Sequence, residues 1–277
     1  MHHILVNELE KIWEPIFIYD SYACRDGKGT HKAVVRLRKF LRSLTSNGNI
    51  KAYFLQLDIK DFFININKQI LFDLISKKVS DPETLWLTET ILFWDCTKSY
   101  IPKGPKQLLF NIPPNKSLFG KDNERGLPIG NLTSQFFANV YLNELDQFVK
   151  HNLKAKYYLR YVDDFVLLSR NKEELLRWKD EIKNFLTTRL NLQIHPKRQK
   201  LQPVSNGIDF LGYVIRHNYI LVRRRVVNNL KAVIKAFAIA KVKDFKKFHD
   251  SIASYMGHFK WANSYRLKNK LGLSYAN

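Results

Sequence analysis

The segment that decides the fold is Tyr157-Tyr-Leu-Arg-Tyr-Val-Asp163-Asp164-Phe-Val-Leu-Leu168, in which two adjacent carboxylates interrupt an apolar, β-favouring run. Burying both carboxylates is costly unless they are paired or bind a cation. A hairpin turn would carry them to its tip, so the pattern predicts two short strands joined at Asp163-Asp164. The alternative is a solvated β-turn without further function, because Asp is common in turns.

A second carboxylate ends another apolar run, Phe54-Leu-Gln-Leu-Asp58-Ile59. If this strand neighbours the hairpin, Asp58 and Asp163 meet at one sheet edge. Hard cations such as Mg²⁺ prefer oxygen ligands, and two of them about 3.5–4 Å apart can activate a 3′-hydroxyl and stabilise pyrophosphate. Two Mg²⁺ ions, with Mn²⁺ as the alternative, are therefore the expected cofactors. Asp61 is a weaker candidate ligand, and we expect it to cap the following helix.

Short strands alternate with amphipathic helices along the rest of the chain. This order favours an α/β (α+β) fold, in which helices pack on an antiparallel sheet, over a doubly wound parallel sheet. The periodicity predicts helices over residues 33–44, 68–79, 82–93, 134–150 and 172–190. It predicts strands over 52–59, 157–168 (two), 192–195, 201–203, 210–215 and 219–222. Residues 98–122 are expected to be irregular or a hairpin.

The charge is strongly positive and uneven. The 277 residues include 46 Lys or Arg against 25 Asp or Glu, a formal net charge of +21. Such a surplus attracts polyanions, so nucleic acid is favoured over a membrane surface, and an ordinary basic soluble protein is the alternative. Residues 221–277 contain thirteen Lys or Arg against two acidic residues, interleaved with aromatic residues. They predict a folded basic module rather than a disordered arm.

Several classes of protein are excluded. Cys24 and Cys96 are the only cysteines, too few for a zinc site or a disulfide framework. No charged segment followed by an apolar run marks a signal peptide, and no apolar stretch has the length of a membrane span. We therefore expect a cytoplasmic protein with no membrane partner.

Four motifs together resemble those of reverse transcriptases. Tyr161-Val-Asp163-Asp164 matches the family's catalytic box, and Asp58 with Phe63 matches its first acidic motif. Gly126-Leu-Pro-Ile-Gly130-Asn-Leu-Thr-Ser-Gln135 matches the motif beside the incoming nucleotide, and Phe210-Leu211-Gly212-Tyr213 matches the primer grip. The resemblance implies a right-hand polymerase: a palm with an antiparallel sheet and packed helices, partial fingers and a C-terminal helical thumb.

Three further stretches are similar to the diversity-generating retroelement subfamily. They are residues 17–32 (FIYDSYACRDGKGTHK), residues 132–135 (LTSQ) and residues 257–266 (GHFKWANSYR). The resemblance implies a bacterial or phage-encoded enzyme that copies a template RNA into cDNA with errors at adenines. It also implies primer, deoxynucleotide triphosphates and a pentameric helical accessory protein as partners.

The resemblance also implies a role for each matching residue. Asp58, Asp163 and Asp164 are the catalytic carboxylates, and the Ile59 carbonyl is a further metal ligand. The nucleotide site comprises Phe63 as the gate against a 2′-hydroxyl, Ile129, Gly130, and either Lys197 or Arg198 as the cation near pyrophosphate. Leu211 and Gly212 form the primer grip, and Arg223, Arg224 and Arg225 contact nucleic acid.

The implied domains are residual fingers over 1–49, a palm over 50–220 with an insertion at about 65–125, and a basic thumb over 221–277. Relative to the family, Met1 is expected to fall inside a fingers helix, with the first fingers motifs upstream of it. Two alternatives to an active enzyme of the diversity-generating type stay open. With incomplete fingers, the chain would be a polymerase-inactive, nucleic-acid-binding copy; as an enzyme, it could instead be a reverse transcriptase of the retron or group II intron type.

Overall fold

The structure, a computed structural model, describes residues 1–98, 100–101, 103–239 and 245–273. Its strands are β1 (Tyr53–Ile59), β2 (Tyr157–Tyr161), β3 (Asp164–Ser169), β4 (Ile194–Pro203), β5 (Ile208–Phe210), β6 (Tyr213–Ile215) and β7 (Ile220–Val222). Its α-helices are α1 (His2–Trp13), α2 (Thr30–Leu44), α3 (Phe62–Asn65), α4 (Lys68–Ser76), α5 (Pro82–Phe93), α6 (Leu132–Gln147), α7 (Lys172–Arg189), α8 (Arg224–Ile239), α9 (Phe245–Phe259) and α10 (Tyr265–Lys270).

The strands form two sheets. The larger has the order β2-β3-β1-β4, with β2 and β3 joined by a two-residue turn. The smaller has the order β5-β6-β7, and its strands are antiparallel, with Phe210 opposite Tyr213 and Tyr213 opposite Val222. Helices pack with the strands, so the predicted mixed α/β fold is confirmed.

The chain divides into two compact units. Unit 1 comprises Met1–Gly29, Leu55–Leu167 and Asn171–Leu201, and unit 2 comprises Thr30–Phe54, Leu168–Arg170 and Gln202–Asn277. In unit 1, α6 is buried on most of its surface and packs against α1, α4 and α7. This burial explains why only Glu144 and Asp146 of its sixteen residues are charged, because a helix that is covered on several sides has little room for charged residues.

Unit 2 has a small core of its own. Leu230 of α8 meets Ile252 and Phe259 of α9, and all three side chains are buried. The outer faces of both helices carry Lys and Arg, which remain exposed. The prediction of a folded basic module, rather than a disordered arm, is therefore confirmed.

Two strand predictions were wrong. Residues 192–195 and 201–203 were expected to be separate strands, but 194–203 form the single strand β4. Because β4 lies at the sheet edge, its Lys, Arg and Pro residues are tolerated there, and their polarity hid the strand. Residues 210–215 were expected to be one strand, but Leu211-Gly212 form a turn between β5 and β6.

The segment between α5 and α6 is irregular, as the sequence predicted. The described part contains two short 3₁₀ helices, over Lys106–Asn111 and Pro114–Lys116. Cys24 and Cys96 are free thiols. In the described part of the chain, every helix is too short or too polar to cross a membrane.

Candidate active site

The sequence predicted a turn at Asp163-Asp164, but the turn lies one residue earlier, at Val162-Asp163, because Asp164 already pairs as part of β3. Asp163 lies in the turn and Asp164 begins β3, while the residues on either side of the turn supply buried strand positions. Val162, the other turn residue, has a left-handed backbone with φ 54°. A β-branched residue is strained in this conformation, so the turn needs support from its surroundings.

Strand β1 lies next to β3 and brings Asp58 to the hairpin. The backbone N–H of Ile59 donates to the carbonyl of Asp163 over 3.3 Å. Asp58 is 16% exposed, so its carboxylate stays accessible at the end of the strand. The structure therefore brings Asp163 next to Asp58 and Ile59 at one end of the neighbouring strands β1 and β3, although more than 100 residues separate Asp163 from the other two.

The charges of the two hairpin aspartates are unfavourable at this position. Burial, together with the nearby charge of Asp58, raises the pKa of Asp163 to about 6. Burial also raises the pKa of Asp164 to about 7, although a hydrogen bond from Gln56 opposes this rise. Gln56 Nε2 donates to both oxygens of Asp164, at 3.1 and 3.2 Å. A nearby cation would stabilise the ionised forms.

A cation from β4 forms an ion pair with Asp58 in this cluster. Arg198 Nη1 donates to Asp58 Oδ2 over 3.1 Å, and the arginine side chain is 63% exposed. Its neighbour Lys197 is exposed as well. Because successive side chains of a strand point to opposite faces, adjacent residues 197 and 198 cannot both face the carboxylates.

The donors fit a hard divalent cation. Asp58, Asp163 and the Ile59 carbonyl offer oxygen atoms only, as Mg²⁺ prefers, and a cation beside Asp163 would offset the burial and the Asp58 charge that raise its pKa. Asp164 is held by Gln56. Within the described ranges, no group of three or more His, Cys, Asp or Glu side chains is arranged to hold a metal ion.

Phe63 lies beside the segment that begins at Gly126. Its ring is half-buried against Phe62, with ring centroids 5.4 Å apart, and its carbonyl accepts from the N–H of Leu127 over 2.8 Å. Farther along this segment, Ile129 is 74% exposed, and Gly130 has φ 106° with open space beside it. The backbone pairing therefore joins two motifs that are separated in the sequence.

Asp61 does not cap α3 as we expected. Its backbone is left-handed, with φ 47°, and its side chain makes no capping hydrogen bond. A capping residue normally has an extended backbone that directs its side chain toward the first helical N–H groups. The Asp61 carboxylate instead accepts from Asn115 Nδ2 over 3.0 Å.

The predicted primer-grip residues form a tight turn in unit 2. Leu211 and Gly212 both have positive φ, 51° and 87°, as the mirror-image turns of hairpins require. Tyr213, the next residue, stacks on His258 of α9 with ring centroids 4.1 Å apart, and its hydroxyl donates to the His258 carbonyl over 2.8 Å. The turn is thereby tied to α9.

The three arginines after β7 differ in their surroundings. Arg223 Nε pairs with Asp209 Oδ2 at 3.1 Å, and its backbone N–H donates to the Gly212 carbonyl over 2.9 Å. Arg224 and Arg225 begin α8 and are exposed. Arg223 therefore stabilises the Leu211-Gly212 hairpin, whereas the other two side chains extend into solvent.

Sequence reasoning missed two residues beside the carboxylates. Gln56 shares a strand face with Asp58, because residues i and i+2 of a strand lie on the same side. Arg160 is fully buried two positions before Val162. A charged residue inside the apolar run of β2 was the available signal, since a buried Arg almost always has a partner.

Comparison with known proteins identifies relatives over most of the chain. The family model for reverse transcriptase (RNA-dependent DNA polymerase) matches residues 1–215. Protein YkfC of Escherichia coli K12 is 25% identical over 270 residues, a match covering 86% of this chain and 64% of YkfC. Group II intron-encoded protein LtrA of Lactococcus lactis subsp. cremoris is 24% identical over 276 residues, covering 75% of this chain and 41% of LtrA. The chain thus spans less than two thirds of either relative.

Solved structures share the fold. Telomerase from Candida tropicalis, in complex with a TWJ fragment of telomeric RNA, matches with a TM-score of 0.55 at 13% identity, over 98% of this chain and 46% of that chain. The apo form matches with a TM-score of 0.53 at 14% identity, over 83% of this chain and 43% of that chain. These likenesses concern the fold alone, whereas the sequence match over residues 1–215 covers most of the chain. The chain therefore belongs to the reverse transcriptase (RNA-dependent DNA polymerase) family.

Proposed function

We propose that this protein is an RNA-directed DNA polymerase that copies a template RNA into cDNA by two-metal nucleotidyl transfer. The observation that carries this proposal is the meeting of Asp58 and Asp163 at one end of the neighbouring strands β1 and β3, where the N–H of Ile59 bonds to the Asp163 carbonyl. Family membership and the pKa of about 6 at Asp163 support it further. A solvated turn would not bury its carboxylates beside a third carboxylate.

In this proposal Asp58, Asp163 and the Ile59 carbonyl hold the cations, and Asp164 acts less directly through its bonds to Gln56. Bound Mg²⁺, or Mn²⁺, supplies activation of the primer 3′-hydroxyl and stabilisation of the leaving pyrophosphate. The guanidinium of Arg198 would leave Asp58 and bind a phosphate oxygen of the substrate instead. The ion pair with Asp58 is weak enough for this exchange, because the arginine side chain is largely exposed. Lys197 is the alternative cation.

The deoxynucleotide would lie between the carboxylates and the segment that follows Gly126. Phe63 would be the wall against a 2′-hydroxyl, since its backbone is joined to that segment. Gly130 would allow the backbone to approach the nucleotide, because no atom of the described residues lies within 4 Å of the position of a Cβ there. Ile129, largely exposed, would face the base pair.

Unit 2 would hold the nucleic acid. The Leu211-Gly212 turn would support the primer end, and Arg224 and Arg225 would contact phosphates, as exposed cations at the start of a helix can. In domain terms, residues 1–49 would be fingers, 50–220 palm and 221–277 thumb. Primer, template RNA and deoxynucleotide triphosphates are the proposed partners.

For the finer identity we propose the diversity-generating type, with errors at template adenines and a pentameric accessory protein. The sequences of residues 17–32, 132–135 and 257–266 support this identity, because they are similar to those of that subfamily. The match to the group II intron-encoded protein LtrA favours a second candidate, an intron-type reverse transcriptase.

Primer extension on a defined RNA template tests the proposed polymerase activity, and sequencing of the cDNA tests the proposed diversity-generating type. We expect extension that requires Mg²⁺ or Mn²⁺ and is lost in Asp163→Asn. Errors concentrated opposite template adenines would support the diversity-generating type, whereas evenly distributed errors would favour the intron type. Binding of template and primer without any extension would overturn the polymerase proposal.

A further inference from the structure

Arg160 of β2 is fully buried and surrounded by acceptors. Its Nε donates to both carboxylate oxygens of Asp146, at 2.8 and 3.0 Å, and Nη2 donates to Asp146 Oδ2 over 2.6 Å. Nη2 also donates to Ser21 Oγ over 3.1 Å, and Nη1 contacts Asn139 Oδ1 at 3.3 Å. The guanidinium is a rigid planar fork, so these partners fix both its position and its orientation.

Two of these partners come from one face of α6. Asn139 and Asp146 are seven residues apart, which is close to two helical turns, so both face β2. Asp146 Oδ1 also accepts from the hydroxyl of the buried Tyr158 over 2.7 Å. The carboxylate is thereby satisfied on several sides, as a buried charge requires.

A third element completes the surroundings of Arg160. The backbone N–H of Arg160 donates to the Asp20 carbonyl, and its carbonyl accepts from the N–H of Tyr22, both over 3.0 Å. Asn139 Nδ2 donates to the Ala23 carbonyl over 2.8 Å. Residues 20–23, a motif that the proposed chemistry does not use, are therefore bound alongside β2.

The remaining bond of Arg160 leads to the catalytic turn. Nη1 donates to the Val162 carbonyl over 2.9 Å, and this carbonyl belongs to the peptide bond that joins Val162 to Asp163. Val162 holds the strained left-handed conformation, with φ 54°. Such strain persists only where the surroundings impose it, and the fixed guanidinium is a group that can do so.

We propose that Arg160 is a positioning residue for Asp163. By holding the Val162 carbonyl, it keeps the turn in the conformation that presents the Asp163 carboxylate beside Asp58. A residue that merely stabilised the core through Asp146 would not need the bond to Val162. This inference rests on the proposed function, since it gives Asp163 the role of a metal ligand.

Arg160→Lys tests the proposal. Lysine retains a positive charge for Asp146, but a single ammonium group cannot also hold Ser21, Asn139 and Val162. We expect kcat for primer extension to fall by about 10- to 100-fold, because misplacement of a reacting group by about 1 Å has costs of this size. The KM for template-primer should change less than about twofold, since no nucleic-acid contact is removed.

A core variant provides the matched control. Ile182→Val trims a buried methylene in α7, a helix that supplies no residue of the turn, and should lower the melting temperature with little effect on kcat. The variants are compared at a temperature at which all are folded by circular dichroism. An equal fall of kcat per degree of lost melting temperature in both variants would overturn the proposal, because Arg160 would then act through stability alone.

Binding of Mn²⁺ supplies a readout that does not depend on turnover. Electron paramagnetic resonance of free Mn²⁺ gives the affinity of each protein without nucleotide, with Asp58→Asn as the reference for a lost site. We expect Arg160→Lys to weaken binding at least threefold and Ile182→Val to leave it unchanged. If Asp58→Asn binds like the parent protein, the metal site of the proposed function fails. If Asp58→Asn binds Mn²⁺ more weakly than the parent protein but Arg160→Lys binds it equally well, the positioning role fails.

A double-mutant cycle tests the strained turn itself. Asn adopts left-handed conformations far more readily than Val, so the turn in Val162→Asn should depend less on the hydrogen bond from Arg160. We expect Arg160→Lys to reduce kcat several-fold less in the Val162→Asn background than in the parent, which is the coupling such a cycle measures. Equal reductions in both backgrounds would overturn the proposal.

If Arg160→Lys does not fold, Ser21→Ala takes its place. This variant removes only the hydrogen bond between Ser21 Oγ and Nη2 of Arg160, and so disturbs the guanidinium less. Unchanged kcat and Mn²⁺ affinity in Ser21→Ala would then overturn the proposal.

Discussion

Arg198 Nη1 lies 3.1 Å from Asp58 Oδ2, although 140 residues separate the two in the chain. This ion pair supplies positive charge to a cluster in which burial opposes ionisation of Asp163 and Asp164. The arginine side is largely exposed, so the attraction is screened by water and the guanidinium is free to exchange partners. In the proposed function, a phosphate of the nucleotide would replace Asp58 as the partner of Arg198.

Replacing Arg198 should affect the reaction more than the fold. Arg198→Ala is expected to change the free energy of unfolding by less than about 1 kcal/mol, because the arginine side of the pair is largely exposed. It should reduce kcat/KM for deoxynucleotide by roughly tenfold or more, as the loss of a charged contact to phosphate does. Lys197→Ala is the matched control and should have a smaller effect, because residue 197 lies on the opposite face of the strand. A larger effect at Lys197 would reverse the assignment.

Replacing Asp163 should abolish primer extension. In Asp163→Asn a carboxylate that we propose as a metal ligand is lost, and electrostatic stabilisation of this kind accounts for about a thousandfold or more in rate. Binding of template-primer, measured by fluorescence anisotropy, should change little, because the proposed nucleic-acid contacts are elsewhere. An extension rate within about tenfold of the parent would show that Asp163 is not a metal ligand.

The stability of the metal-free protein should depend on pH through Asp164. Burial raises its pKa from 3.8 to about 7, so the folded chain binds more protons than the unfolded chain between these values. The contribution of this carboxyl to stability is therefore complete below about pH 3.8 and is lost as the pH rises through about 7.

Asp164→Asn should consequently be more stable than the parent at pH 8 by roughly 1–3 kcal/mol, and close to the parent at pH 4. Denaturant unfolding at both pH values, without divalent cations, measures the difference. Mg²⁺ should reduce it at pH 8, because a bound cation stabilises the ionised carboxylate. A variant that is less stable at pH 8 would contradict the pKa shift.

Gly212 should be sensitive to the addition of one methyl group. Its φ of 87° is unfavourable for other residues, and a Cβ there would lie 3.1 Å from Cε1 of His258. Gly212→Ala is expected to destabilise the protein by about 1–2 kcal/mol and to raise the KM for primer. Gly257→Ala is the control, because a Cβ meets no atom at this helical position, and it should be neutral or stabilising by up to about 1 kcal/mol. Equal stabilities of the two variants would argue against strain at the turn.

Charge reversal at Arg224 and Arg225 should flatten the salt dependence of template-primer binding. Each lost phosphate contact on a duplex removes roughly 0.9 from the slope of log K against log salt concentration. Arg223 is left unchanged, because it pairs with Asp209. Arg177→Glu on α7 is the control: this arginine is exposed but pairs with Glu181 outside unit 2. An unchanged slope in the double variant would show that the two arginines face solvent or a protein partner.

The local sequence pattern was sufficient to predict many of the helices and strands, and to identify the carboxylates as candidate site residues. The apolar run around Asp163-Asp164 and the run ending at Asp58 are found as strands, and the amphipathic periods of α2 and α7 are found as helices. These features depend on the spacing of apolar residues over a few turns or strand positions, which the sequence displays directly. Sequence alone misread residues 194–203 and 210–215, because an edge strand tolerates polar residues and a turn with positive φ at Leu211 has no strong local signal.

Relations between distant residues depended on the tertiary structure. Membership of Asp58 in the hairpin's sheet follows from the strand order β2-β3-β1-β4, which local spacing does not encode. The difference between Lys197 and Arg198 follows from the register of β4, since a shift of one residue exchanges the two faces of a strand. The partners of Arg160 come from α6 and residues 20–23, so only the packing of three elements reveals why a charge lies within an apolar strand. The sequence by itself determined which residue types carry the chemistry, and the tertiary structure decided which of them meet, because long-range packing sets strand order and register.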